Sequence, residues 1–169
     1  MSRTARAFLV LLLSAGPCVA GAGDLRVLAA VRNSDADVLR TLVRQRADVN
    51  ATEADGTSAL HLAAERDDVV IARLLVGAGA RAGAANRFGA TPLALAAVNG
   101  SARMLVLLLE AGADPEATLP GGETVLMTAA RTGRVDALDV LRARGANVNA
   151  REGARGQTAL MWAAAEGNA

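Results

Sequence analysis

Few side chains in this 169-residue protein are suited to chemistry. It has one histidine, His61, one cysteine, Cys18, and no tyrosine, and its aromatic residues are Phe8, Phe88 and Trp162. His61 has the chemistry of a general base or a metal ligand. Zinc sites are built from several Cys or His ligands, however, and the sequence offers no second histidine. Gly77-x-Gly79-x-x-x-Gly83 looks like a phosphate-cradling glycine loop. The dinucleotide fingerprint follows a strand and opens a helix, whereas this run follows an expected helix and enters a loop. Acidic residues are plentiful, but a hydrolytic pair needs a pocket that shifts one of its pKa values. Asp35, Asp37, Asp136 and Asp139 fall instead at expected helix starts or loops. No catalytic residue, metal or cofactor is expected.

The elements that hold these residues follow a fixed period. Ser58-Ala59-Leu60-His61-Leu62-Ala63-Ala64 returns after 33 residues as Thr91-Pro92-Leu93-Ala94-Leu95-Ala96-Ala97. It returns again as Thr124-Val125-Leu126-Met127-Thr128-Ala129-Ala130 and, after a step of 34, as Thr158-Ala159-Leu160-Met161-Trp162-Ala163-Ala164. A period of this size marks a stacked array in which each unit contacts only its neighbours. Within the unit from Asp55 to Arg87, Asp55-Gly56 reads as a turn and Ser58 as the cap of a short helix reaching about Arg66. Asp67-Asp68 breaks that helix and suits the start of a second one. Ile71, Leu74 and Leu75 give the second helix its apolar stripe, and Gly77-Ala78-Gly79 ends it.

The register extends backwards, because Val27, Ala30, Leu42 and Val43 lie 33 residues before Leu60, Ala63, Leu75 and Val76. Asp24 to Ala51 therefore reads as a degenerate first repeat, with Ser34 and Asp37 as a capping box for its second helix. The inter-helix turn carries Gly100, Gly133 and Gly167 in later copies but Ser34 and Asp67 in the first two, which are expected to be locally less stable. Residues 156–169 supply a fifth first helix, with Gly167-Asn168 opening a turn, so the chain reads as part of a longer array. The expected units are about 24–54, 55–87, 88–120, 121–154 and a partial 155–169.

Gly89-Ala90-Thr91-Pro92-Leu93-Ala94-Leu95-Ala96-Ala97 and Leu107-Leu108-Leu109-Glu110-Ala111-Gly112-Ala113-Asp114 resemble the ankyrin repeat signature, and the resemblance runs from Asp24 onward. It implies an all-α solenoid of helix–turn–helix units with hairpin-like loops. It also implies that His61 is the motif histidine that hydrogen-bonds locally and steadies its repeat. The period puts Trp162 in the slot of Leu62, Leu95 and Thr128, a packed or semi-packed face.

Residues 1–22 differ from the rest. Arg3 and Arg6 precede the apolar run Ala7 to Ala15, and Gly16-Pro17 and small residues follow. This is the layout of a secretory signal peptide, with cleavage expected after Ala22 or, as the near alternative, Ala20. Pro17 and Ala15 make a poor lipid-attachment context for Cys18. All 18 basic residues are arginine, and cleavage leaves 16 of them against 17 carboxylates. That balance offers no electrostatic footprint for nucleic acid or for an anionic membrane.

The resemblance further implies a groove lined by the loop tips and the exposed side of each first helix. The matching positions include Arg66, Arg87, Phe88, Asn99, Glu123 and Arg131. Aromatic and arginine side chains dominate binding hot spots, which favours Phe88, Arg87, Arg66 and Arg131. The function expected is a non-catalytic protein–protein interaction module, periplasmic or secreted, with a protein partner. Neither nucleic acid nor, beyond the signal segment, a membrane is expected. Two alternatives are the recognition arm of a longer enzyme and a membrane-tethered scaffold.

Overall fold

The computed structural model describes residues 25–168; the expected signal segment, Cys18 and Asp24 lie outside this range. Nine helices form among the described residues: α1 (Leu25–Arg32), α2 (Ala36–Arg44), α3 (Ala59–Glu65), α4 (Val69–Gly77), α5 (Pro92–Val98), α6 (Ala102–Glu110), α7 (Val125–Thr132), α8 (Val135–Ala143) and α9 (Ala159–Ala165). The first helices α1, α3, α5, α7 and α9 pack one on the next, and the second helices α2, α4, α6 and α8 form a parallel row beside them.

Each first helix after α1 begins where a hydroxyl is available. Ser58, Thr91, Thr124 and Thr158 sit in extended backbone, and each side chain accepts the N–H three residues on. Pro92, at the first position of α5, lacks only an N–H that would find no partner in the helix. The helices then bury Leu60, Leu93 and Leu126 beside Ala63-Ala64, Ala96-Ala97 and Ala129-Ala130. Those small pairs let neighbouring repeats approach closely. The second helices complete the core with Leu39, Ile71, Leu75, Met104, Leu105, Leu108 and Leu141.

One expected cap is corrected. Asp35, not Ser34, caps α2, its carboxylate accepting the Val38 N–H at 2.9 Å. Ser34 is instead the left-handed turn residue, at φ 53°, and so cannot occupy the extended conformation of a cap. Asp67 (φ 55°), Gly100, Gly133 and Gly167 fill the same turn in later repeats. A second left-handed position follows each second helix, at Arg46 (φ 59°), Gly79, Gly112 and Gly145. Among the described residues the three non-glycine residues in this conformation all lie in the first two repeats, where it costs Ser34 and Arg46 about 1–2 kcal/mol each and the more tolerant Asp67 less.

Hairpin-like loops join the repeats, with isolated antiparallel bridges at Thr52–Ser58 and Thr118–Thr124. Backbone bonds close them from Glu53 to Thr57, from Asn86 to Ala90 and from Leu119 to Glu123. In the last loop the bond runs from Glu152 to Gln157, one residue further. The extra residue of the 34-residue step therefore lies between these two. The Glu152 carboxylate organises the enlarged loop by accepting the N–H groups of Ala154, Arg155 and Gln157.

Candidate protein-binding face

The loop tip that carries Phe88 is braced both from within and by the preceding loop. The Arg87 N–H donates to the Asp55 carbonyl of the preceding loop at 2.7 Å. The Asp55 carboxylate accepts the Thr57 N–H at 2.9 Å, and the Thr57 hydroxyl accepts from the Asn86 amide at 3.4 Å. The other end of that amide, Asn86 Oδ1, takes the N–H groups of Phe88 and Ala90 at 3.0 Å each. The Thr57 N–H, with the Thr57 hydroxyl and the nearby Arg87 charge, holds the Asp55 carboxyl below its ordinary pKa. Phe88 is 62% exposed on this braced tip, with the Arg87 guanidinium 5.3 Å from its ring centre. It is therefore displayed and not packed away.

His61 supports the same tip from below. The ring is buried; Nδ1 accepts from the Ser58 N–H at 3.2 Å and lies 2.8 Å from the Ser58 hydroxyl. Because Nδ1 faces a donor, the proton sits on Nε2, which donates to the Ala90 carbonyl of the next repeat at 3.0 Å. Burial pushes the His61 pKa below its usual value, against the pull of Ala90 and Asp55, so the ring is neutral. Its role is to join two repeats.

The six expected site residues divide into three groups. Arg87 and Phe88 form the tip. Glu123, in the loop before α7, meets Arg131 of α7, which lies 4.0 Å from the Glu123 carboxylate and 5.5 Å above the Trp162 ring of the next repeat. Arg66 and Asn99 serve the stack itself. The Arg66 guanidinium donates to the Arg32 carbonyl at the end of α1, and the Asn99 amide donates to the Ala64 and Glu65 carbonyls at the end of α3. Both side chains add a bond from the next repeat to carbonyls at a helix end.

Three contributors were missed in the sequence. Trp162 is half-buried against the core as its slot predicts, but it also offers its face to Arg131; its buried Nε1 has no hydrogen-bond partner among the described residues. Thr128 takes the slot of Leu62 and Leu95 and donates its hydroxyl to Glu123 at 2.8 Å, which orients that carboxylate. Glu152 was signalled only by the change of step from 33 to 34. Its three N–H bonds, Gln157 first, hold its pKa below the ordinary carboxylate value.

A stack of helical hairpins in two parallel rows, joined by hairpin-like loops, defines the class of helical repeat solenoids. A family model described as ankyrin repeats (3 copies) matches residues 27–119 and 115–169, and the chain belongs to that family. Its members are generally protein–protein interaction modules and typically non-catalytic. Comparison with curated proteins gives no match. No helix among the described residues is long and apolar enough to cross a membrane.

Proposed function

We propose that this chain is an exported, non-catalytic interaction module that binds one protein partner across its loop tips and first helices. The observation that carries the reading is Phe88, 62% exposed on a tip braced by the preceding loop. A rigid, preformed tip loses little conformational freedom on binding, so more of the contact energy appears as affinity. Phe88 and Arg87 supply the anchor, and Arg131 with Trp162 a second contact. Glu123 sets the charge beside that second contact. Arg66 and Asn99 act indirectly, by holding the helix ends that shape the face. The layout of Arg3, Arg6 and the Ala7–Ala15 run supports export to the periplasm or beyond.

The test is a pull-down from the native host with wild-type protein and with the double variant Phe88→Ala/Arg87→Ala. The partner is lost while helical circular dichroism stays unchanged. Equal recovery by both proteins would refute the assigned face. Mass spectrometry of the exported protein finds its N-terminus at Gly23 or Gly21, without lipid; an intact or lipidated start would refute the export step as stated.

A further inference from the structure

The second helices carry a feature that the binding face does not use. Between α2, α4 and α6 lies an open hollow of about 420 Å³, lined by the apolar Val69, Val70 and Leu74 and by Arg40, Arg73 and Arg103. An adjoining hollow of about 440 Å³ shares Val69, Val70 and Arg103 and extends toward the α3–α4 turn. Val70 is 58% exposed, and Val38, also exposed, lies on the same row of helices. Arg40 is paired with Asp37 on its own helix at 2.6 Å. Arg73 and Arg103 make no hydrogen bond or ion pair among the described residues, so two guanidinium groups flank an apolar strip without a directly paired carboxylate. Asp67 and Asp68 line only the adjoining hollow, and the Asp68 carboxylate is held by the Ile71 N–H.

The unpaired positive charge lies on the middle two helices of the row. One repeat position reads Asp37, Val70, Arg103, Asp136 along the stack, and a neighbouring one reads Arg40, Arg73, Val106, Asp139. The row thus carries directly unpaired arginines at α4 and α6, whereas α2 and α8 carry the Asp37–Arg40 and Asp139–Arg142 pairs. We infer that this hollow docks an acidic amphipathic helix of a partner protein, its apolar stripe on Val70 and Leu74 and its carboxylates on Arg73 and Arg103. A helix laid along a groove uses side chains at i, i+3, i+4 and i+7, which suits a strip flanked by cations. A flat anionic bilayer suits it less well, because the strip lies in a hollow and not on a plane. This surface lies on the second helices, away from the Phe88 tip, and stands or falls separately from the proposed function.

The experiment uses a fluorescent helical peptide of about 15 residues, long enough to hold a helix, with a leucine stripe flanked by glutamates. Controls are the same peptide with glutamines and vesicles of phosphatidylglycerol and phosphatidylcholine. The glutamate peptide binds the wild type, more weakly as salt rises, and binds Arg73→Glu/Arg103→Glu roughly tenfold or more weakly. Phe88→Ala leaves this binding unchanged. If the double reversal fails to fold, Arg73→Gln/Arg103→Gln carries the same comparison. Equal binding of the glutamine peptide, equal binding by the arginine variants, or binding to vesicles in place of the peptide overturns the inference.

Discussion

His61→Ala separates a structural histidine from a chemical one. The substitution removes the bond to the Ser58 N–H, the contact with the Ser58 hydroxyl and the bond to the Ala90 carbonyl, all in a buried setting. At about 1 kcal/mol net for each lost contact, with a further cost for the cavity, the loss is about 3–5 kcal/mol; the Ala90 carbonyl keeps its bond from the Asn86 N–H. Protonation acts on the same contacts. The folded pKa lies below the reference value of 6.5, because burial disfavours the imidazolium and Nδ1 faces a donor. Above pH 6.5 both folded and unfolded states hold a neutral ring, and the contribution is fully present. Below it the unfolded chain takes up a proton that the folded chain refuses. Stability then falls by up to about 1.4 kcal/mol per pH unit until the folded pKa is reached. Urea melts of wild type and His61→Ala between about pH 7.5 and 5 give both quantities. The wild-type profile slopes down toward acid, and the variant is lower but flatter. Parallel profiles, or a loss under about 1 kcal/mol, would refute the assignment of His61 as the neutral link between repeats.

Four further outcomes follow from the geometry. Arg46→Gly stabilises the chain by about 1 kcal/mol in thermal melts, because it relieves a left-handed arginine in a slot that is glycine in the three later repeats; a lower midpoint contradicts this. Gly89→Ala destabilises by about 2 kcal/mol, since its Cβ would lie 2.7 Å from Pro120 Cδ at a φ of 74°; a neutral result means the two loops are not in register. Glu152→Ala leaves the helices intact but removes hydrogen-exchange protection from the Ala154, Arg155 and Gln157 amides; retained protection means the backbone alone closes that loop. Phe88→Ala costs under about 1 kcal/mol of stability, because the ring is mostly exposed; a larger loss means that the tip depends on it.

The helices were legible because their determinants repeat. Leu60, Leu93 and Leu126 mark the buried side of each first helix, and the hydroxyl two residues before each of them marks its start. The failure at Ser34 is instructive: it has the side chain of a cap, but its backbone slot is the left-handed turn, and the period alone distinguishes the two. The candidate face was less legible. The period assigns Arg66 and Asn99 to exposed helix ends, yet their long side chains reach back across the repeat boundary to carbonyls of the previous unit. The same limit hid the stacking of Arg131 on Trp162, a pairing between residues 31 positions apart. A period describes which slot a residue fills, not how far its side chain extends beyond that slot.

Ser34, Arg46 and Asp67 give the stack a direction in time as well as in space. In a linear array, folding starts where a unit and its neighbour are jointly most favourable and then propagates outward. The strained turns place that nucleus in the repeats of α5 to α8, whose turns are glycines, and make the α1–α4 end the last to zip and the first to peel. The Phe88 tip stands at the boundary between these two regions, its backbone tied to Asp55 on the weaker side. A partner gripping that tip would therefore also act as a clasp on the weaker half, slowing its opening without touching it.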